Sequence, residues 1–599
     1  MKPHLTKNEI TSFLGHVVPI GMVASEDLTN ADISWSVEGD AVTMRCFDKT
    51  EYGTKRGVLL TLVKLGEAKV HAEYLGNTYT ATVVVRPMRK ADPEAKMSYY
   101  IGDLHNHMSM IHERNAYAAR TGERQIDYIK QVSEENLIDF SVMTDHGDVV
   151  TERDFVGQFL DYDAYEPKSV VILPGSESEA TVIEPDRLGV MHHNSGEVVM
   201  LNANNFSATR TWQDFFDDFR DTPLPIGTFA HPQVMGGGNH GLWNPRPDIN
   251  SNADLKRLIK LVEMGDGSRR SENLIHEYTY STALDYGFRL SPTCSSDSHG
   301  PVWGFAACPG KTVIMAPEKS AEAFIDAMNE GRVYATESGN VKLEYTVNGK
   351  HAPADISPDV TEYSFKVSLD YFRDDPTTHP VAFEVISDFG KVVYSAELEG
   401  DNAEFTLHSE SARYFYLRLW DAYGRRTWSA PTYLGRAPEV YNGEELKPLR
   451  KYHMSVYDEI SLENAGAVFT EDLTKVWQSP NETCSLFIDF CFAHKVCALG
   501  HTTEVFNRDE IKEKHMMAGM NYAPYPAEFR ISGSIDGVHF TTMAEGTFRN
   551  FGGEEIIRFE ERVVRFVRFE VLSTVGKRSK QAVFLGAKPR IGELTLFSR

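Results

Sequence analysis

The chain has 599 residues, 41% hydrophobic and 25% charged, with 86 Asp and Glu against 61 Lys and Arg and a formal net charge of −25. At roughly 100–200 residues per domain this predicts about three to five folded domains, and the composition is not that of a disordered chain. No Lys/Arg-rich run occurs, which excludes a protein that holds nucleic acid by neutralising phosphates, and six cysteines without a CxxC pair exclude a disulfide scaffold.

The first residues, MKPHLTKNEITSFLGHVV, lack the apolar core of roughly 7–15 residues that a secretory signal needs. No stretch approaches the roughly 20 apolar residues of a membrane span. A cytoplasmic protein without a transmembrane segment is expected, and the accessory domains below are also compatible with an extracytoplasmic one. Cys484, Cys491 and Cys497 are close in sequence and odd in number, which predicts reduced, partly buried thiols. Residues 30–86 alternate apolar and polar in short runs (ISWSV, AVTMRCF, GVLLTLV, KVHAEYL, TYTATVVV) separated by Gly, Asn or Asp. That is the pattern of a small β-sandwich. ISWSVEGDAVTM followed by ATVVV resembles bacterial immunoglobulin-like domains of the group 2 type, which implies such a domain over 1–95. RPMRKADPEAKM (86–97) is polar, contains Pro and predicts a linker.

From 98 to 338 short apolar strands alternate with helical patterns. RQIDYIKQVSEEN precedes LIDFSVMTDH, TWQDFFDDFR precedes PIGTFAHP, and NADLKRLIK precedes LVEMG. STALDYGF precedes RLSPTCSSDSH, and SAEAFIDAMNEG closes the region. Such βα alternation predicts a parallel sheet or barrel, with functional residues at the carboxyl ends of its strands. Residues 340–436 return to two-residue alternation (VKLEYTVNG, EYSFKVSLDYF, PVAFEVIS, RYFYLRLWDAYG), which predicts a second sandwich followed by a connector at 437–450. Residues 450–599 are again mostly strand. TKVWQS, LFIDF, FRISGSIDGVHF and VRFVRFEVL, in that order, resemble the coagulation-factor C-type, discoidin-like jelly roll. That resemblance implies carbohydrate or lipid-head-group binding through exposed loops. Trp477, Tyr522 and Tyr525 are candidates to line such a face, with core or edge packing as the alternative.

Five polar clusters fall at strand ends of the middle region. GDLHNH supplies His105 and His107, with His112 beyond. MTDHGD supplies Asp145 and His146, LPGSESE supplies Glu177 and Glu179, AHP supplies His231, and SSDSHG supplies Asp297 and His299. Imidazole and carboxylate without thiolate suit Zn, Mn or Fe and leave the ion Lewis acidic. Period two puts both histidines of an extended HxH on one face, where they chelate together, and Asp297 and His299 repeat that spacing. The same alternation leaves Glu177 and Glu179 on one face and does not choose between them. Singly, each cluster has an ordinary reading: strand-end histidines, a helix N-cap at TDH, a solvated turn at GSESE. Their joint order is what points to metal. His240, His276 and Glu263 fall in no motif and are read as structural. No GxSxG elbow or GxxxxGK[ST] loop occurs. GGGNHG (236–241) follows AHP and predicts a mobile active-site loop, not a nucleotide cradle.

IGDLHNHMS, VMTDHGD, LPGSE, FAHP and CSSDSHG resemble, in this order, the PHP (polymerase and histidinol phosphatase) metallohydrolase family. The subgroup most like it comprises stand-alone multidomain hydrolases and includes carbamate-cleaving members; NEGRVYATESG resembles the end of that subgroup's barrel. The resemblance covers 98–338 and implies a distorted (β/α)7 barrel, flanked by β-sandwich domains at 1–95, 340–436 and 450–599. It also implies two or three divalent transition-metal ions, Zn, Mn or Fe. Carried over, His105, His107 and Asp297 hold the first ion and Glu177 bridges to the second. His231 and a histidine of VMHHN complete the second, His193 fitting better than His192, and His112, His146 and His299 hold the third. Two departures stand out: many members carry Asp where His112 stands, and the insert EATVIEPDRLGVMH is long. Asp145, Glu177 and His231 are the catalytic candidates, with Asp145 orienting a ligand histidine. The implied activity is phosphomonoester or phosphodiester hydrolysis by a metal-bridging hydroxide, on a phosphorylated or ester-type small molecule or glycan. Carbamate, ester or amide hydrolysis at the same cluster is the first alternative. A catalytically inactive glycan-binding protein is the second.

Overall fold

The computed structural model describes residues 2–25, 28, 32–45, 56–92, 95–107, 131–132, 138–147, 160, 169–185, 191–205, 208–209, 212–232, 253–266, 273–285, 287–299, 302–436, 446–451, 454–470, 475–502, 526–548, 554–574 and 588–599. Most of them are β-structure. At the N-terminus two four-stranded sheets face each other. One contains His4–Leu5, Val17–Val23, Gly57–Leu62 and Val42–Arg45; the other contains Glu9–Phe13, Asn77–Arg86, Gly66–Tyr74 and Ser34–Glu38. Alternation in Gly66–Tyr74 turns Ala68, Val70, Ala72 and Tyr74 inward, where they meet Ile20, Val58 and Leu60 of the opposite sheet.

The central sheet opens with Ser98–Asp103, Phe140–Met143 and Val171–Pro185, side by side and parallel. Met191–Leu201 then pairs antiparallel with Val171–Pro185 on one side and Ile226–Phe229 on the other. Ile226–Phe229, Ile259–Asp266 and Ser291–Ser295 are parallel again. Strands such as Phe140–Met143 and Ile226–Phe229 are buried at every residue, because both faces of the sheet are covered. The two ends of this run meet. The Asp297 N–H donates to the His105 carbonyl and the His107 N–H to the Ser298 carbonyl, each at 3.0 Å.

The regular alternation of a (β/α)7 barrel is not what the described residues form. Their α-helices include Trp212–Phe219, Ala253–Leu258, Asn273–Asp285 and Ala321–Asn329, the last capped by Ser320, whose hydroxyl accepts the Ala323 N–H. Between Gly175 and Leu201 an antiparallel pair of strands with eleven paired positions interrupts the expected run of parallel strands. The physical reason is local: antiparallel neighbours need only a short connection, whereas parallel neighbours need a crossover. The pattern RQIDYIKQVSEEN lies mostly outside the described residues.

No break in the sheet occurs at residue 340. Lys311–Ala316 pairs with Ser98–Asp103 and with Val333–Thr336, which pairs in turn with Arg426–Trp428. The path continues through Tyr414–Asp421, Pro380–Ser387 and Lys391–Glu397. A second sheet of Lys350–His351, Val341–Val347, Glu362–Tyr371 and Asn402–His408 packs with it around a core that also takes in Ile101 and Val313. Alternation thus reports the faces of Val341–Val347 and Glu362–Tyr371, whereas Arg426–Trp428, Tyr414–Asp421, Pro380–Ser387 and Lys391–Glu397 continue the sheet of the preceding region, joined to it where Arg426–Trp428 pairs with Val333–Thr336.

The C-terminal residues form a seven-stranded sheet dominated by Cys484–Thr502 and Glu554–Val571, with Glu528–Ser534, Thr541–Thr547 and Glu593–Ser598 among its other strands. Trp477 is buried in the core beneath it, so the binding-face role considered for that residue is corrected to core packing. Tyr522 and Tyr525 lie outside the described residues. Cys484 and Cys497 are buried and Cys491 is exposed, all as free thiols. No helix among the described residues is long and apolar enough to cross a membrane.

Candidate metal centre

The strand Ser98–Asp103 runs out into an extended segment, so His105 and His107 leave it on one face. Their Nε2 atoms are 3.1 Å apart. Glu177 lies in Val171–Pro185, where its N–H is held by the Thr144 and Asp145 carbonyls at 3.1 Å and its carbonyl accepts the Gly147 N–H at 2.6 Å. His146 is thereby locked beside it. Asp297 follows Ser291–Ser295 with φ 44°, and His231 follows Ile226–Phe229 with φ 22°. Both angles are disfavoured for residues with a Cβ and persist only where surrounding bonds impose them.

Glu177 sits at the centre. Its Oε1 is 3.1 Å from His231 Nε2 and 3.3 Å from His105 Nε2; its Oε2 is 2.8 Å from His146 Nδ1 and 3.4 Å from His107 Nε2. Asp297 Oδ1 lies 2.9 Å from His107 Nε2 and 3.4 Å from His105 Nε2. The His299 and His146 Nε2 atoms are 3.2 Å apart, and the His299 ring stacks on His107 at 4.0 Å. Four overlapping triads result, each with its ligating atoms within 4.8 Å of one another. His105, His107 and Glu177 are buried, while His299 is 40% exposed at its side chain, which gives the cluster a closed floor and an open side.

Two carboxylates without a motif stand in this group. Glu197, at the start of the apolar run VVML, has Oε2 3.4 Å from His231 Nε2 and forms a triad with His146 and Glu177. Glu263, read from sequence as structural, accepts the His231 N–H at 2.6 Å and lies 3.4 Å from His105 Nδ1. The only signal for either was an acid beside or within an apolar strand. The His193 assignment is corrected by register: its backbone stands opposite Ile183, six ladder positions from the Glu177–Val199 pair, roughly 20 Å along the strand. Glu197, two positions from Val199, is the residue of that strand at the cluster. The Asp145 carbonyl rather than its side chain is what meets the Glu177 N–H. His276 is buried in the helix Asn273–Asp285. His112, His240 and the GGGNHG loop lie outside the described residues.

Burial is the largest influence on Glu177, His105, His107, His146, His231 and Glu197, and at Glu177, His105, His146 and His231 the neighbours overrule it. It pushes the Glu177 carboxyl up, but His105, with hydrogen bonds to His105, His146 and His231, holds it well below the usual range. Burial opposes charge on His105 and His231, yet the surrounding carboxylates raise both well above the ordinary imidazole value. The hydrogen bond to Glu177 raises His146 to about 9, against burial. His107 is lowered to about 3 by burial and the charges of His146 and His299. Burial and the Glu177 charge raise Glu197 to about 8. A cation held here would compete with protons for the raised imidazoles. The donor set is wholly nitrogen and oxygen, without thiolate, and exceeds the four donors that one tetrahedral ion uses; it fits two or more divalent transition-metal ions.

No protein-family model matches the chain, and no curated protein matches it. Among solved structures it is similar to CpGH89CBM32-5 from Clostridium perfringens, in complex with GalNAc-β-1,3-galactose: 12% identity over 25% of this chain and 100% of that one, TM-score 0.20. It is similar also to the family 32 carbohydrate-binding module of C. perfringens NanJ in complex with galactose, with 15% identity over 26% of this chain and 100% of that one, TM-score 0.20. The F5/8 type C domain of a Bacteroides fragilis protein shows 11% identity over 26% of this chain and 98% of that one, TM-score 0.20.

Proposed function

We propose that the chain is a metal-dependent hydrolase of the PHP type that cleaves phosphate mono- or diesters at the cluster around Glu177. One observation carries this reading: a single buried carboxylate lies within 3.4 Å of four imidazoles contributed by three separate segments of the chain, His105 and His107 from one, His146 and His231 from the others. In it, His105, His107 and Asp297 would hold one ion, His231 and Glu197 a second with Glu177 within reach of both, and His146 and His299 a third. Bound there, such ions supply Lewis acidity and lower the pKa of coordinated water toward about 7. The chain's own groups hold and orient. Glu263 faces His105 Nδ1, which fixes that ring with Nε2 toward the centre, and its bond to the His231 N–H sets the second histidine. The buried floor excludes water, and the half-exposed His146–His299 side admits substrate. The same reading takes 98–338 as a distorted barrel of that family with an antiparallel pair within its parallel run, between sandwich domains at 1–95, 340–436 and 450–599.

The test is metal analysis after reconstitution with Zn, Mn or Fe, followed by p-nitrophenyl phosphate, its bis-ester, and carboxylic and carbamate esters. Two or three ions per chain and turnover of a phosphoester are expected. Turnover confined to the carbonyl substrates moves the reaction to carbamate or ester cleavage at the same cluster. One ion or fewer per chain overturns the reading.

A second reading, glycan binding, attaches to residues 450–599 through their discoidin-like order of motifs. The Arg436 guanidinium ties the preceding sandwich shut through the carbonyls of Pro358, Val360 and Ala412, so a chain ended after Arg436 keeps that end intact. Such a chain is expected to keep its metal and its turnover of a small chromogenic ester. It should lose retention on immobilised galactose or GalNAc-β-1,3-galactose if the full chain shows any. Loss of small-ester turnover with full metal content would place C-terminal residues in the site. Sugar retention by the full chain with no hydrolysis of any ester would favour a purely glycan-binding protein.

A further inference from the structure

Between the two histidines of HNH stands Asn106. Strand alternation turns it away from the cluster, and it is fully buried. Its Oδ1 accepts the Ser296 hydroxyl at 2.8 Å, and its Nδ2 faces the Ser141 hydroxyl at 3.4 Å and the Val142 carbonyl at 3.5 Å. Its backbone is held as well. The N–H donates to Thr144 Oγ1 at 3.0 Å, and the carbonyl accepts the Thr144 N–H at 2.9 Å and hydroxyl at 3.0 Å. Ser296 immediately precedes Asp297, and Thr144 lies two residues before His146. On the other side of Ser296, Asp103 Oδ1 accepts its N–H at 3.1 Å and that of His105 at 3.3 Å. One buried side chain thus joins the three segments that carry HNH, TDH and DSH, none of which is adjacent to another in sequence.

We propose that Asn106 is a positioning residue: it holds three ligand-bearing strand ends in the mutual register that lets His105 and His107, His146, and Asp297 and His299 share cations. This rests on the metal reading above. Ligand distances in such sites are set to within about 0.2 Å, so a small slide of one strand end past another removes a donor without unfolding anything. The bond to Ser296 is the short one, and it locks the HNH segment to the DSH segment. The longer approaches to Ser141 and Val142 aim the amide toward the TDH strand. Burial without solvent access makes each of these bonds directional, because the amide has no water to turn to.

The experiment loads cobalt(II) into the full chain and into two variants, Asn106→Leu and Ser296→Ala. It follows metal stoichiometry, affinity, the visible cobalt spectrum and the melting temperature of the metal-free protein. Asn106→Leu keeps the branched outline and removes every side-chain bond; Ser296→Ala removes the 2.8 Å bond from the opposite partner, together with the hydroxyl's longer 3.5 Å approach to the His105 carbonyl. Both are expected to weaken cobalt binding about tenfold or more, as loss of an outer-sphere partner does, and to change the spectrum. The melting temperature should move little in Ser296→Ala. Wild-type affinity and spectrum in both variants, or a lowered melting temperature with affinity unchanged, would make Asn106 a packing residue and overturn the proposal. Should Asn106→Leu not fold, Ser296→Ala decides by the same two readouts. A wild-type chain that takes up no cobalt, zinc, manganese or iron overturns the metal reading itself, and is seen in the same run.

Discussion

Glu177→Gln is expected to abolish turnover and to weaken metal binding by at least about 100-fold, the upper end of what an outer-sphere partner costs. Glu177 is more central than that. Its two oxygens meet four imidazoles at 2.8–3.4 Å, so an amide turns one acceptor into a donor aimed at a ring nitrogen. The substitution also removes the carboxylate that, by its charge and its hydrogen bonds and against burial, does most to raise His105, His146 and His231 above the ordinary imidazole value. Their pKa values should therefore fall in the metal-free protein, which histidine proton resonances followed through a pH titration would report. Glu179→Gln is the companion variant. In the sequence, alternation does not separate the two residues and the order LPG-Ser-Glu selects Glu177, the carboxylate that meets the four imidazoles. A dead Glu179→Gln beside an active Glu177→Gln would put the assignment two residues out.

The second large effect lies away from the site. Glu337→Ala should cost about 3–5 kcal/mol, read as a lowered urea midpoint, because it strands a buried guanidinium. Arg426 donates from Nη2 to Glu337 Oε1 at 2.9 Å and from Nε to Oε2 at 3.0 Å, and its backbone N–H reaches Oε2 at 2.6 Å. Both side chains are 2–3% exposed, and the guanidinium lies over the Trp428 ring at 4.9 Å. The pair spans the Val333–Thr336 and Arg426–Trp428 strands, where the sheet passes from the metal-bearing region into the sandwich beyond residue 340. Replacing both partners, as Glu337→Leu with Arg426→Met, should recover most of the loss, since an apolar pair leaves no charge to desolvate. A single substitution that costs under about 1 kcal/mol would mean that water reaches the guanidinium after all.

Legibility followed the range of the interactions involved. His105, His107, His146, Glu177, His231, Asp297 and His299 could be singled out because each belongs to a short local pattern that follows an apolar run, and the structure brings those seven together. Glu197 and Glu263 carry no pattern. One reaches His231 because its strand pairs antiparallel in one register, the other because its strand lies parallel beside Ile226–Phe229. His193 failed for the converse reason, since a plausible neighbour in sequence is carried far down the hairpin by its pairing with Ile183.

By itself, then, the order of residues singled out seven of the side chains gathered at the cluster, the inward face of alternating strands such as Gly66–Tyr74, and helical segments at Trp212–Phe219 and Ala321–Asn329. Those properties depend on chemistry and on periods of two or about four residues, all local. Only the tertiary structure decided which strands are neighbours. It set an antiparallel pair within the expected parallel run, ran one sheet across residue 340, buried Trp477 in a core, and placed Glu197 and Glu263 against His231. Strand pairing joins residues far apart in the chain through backbone groups that every residue shares, so side-chain patterns alone leave the partner and the register unspecified.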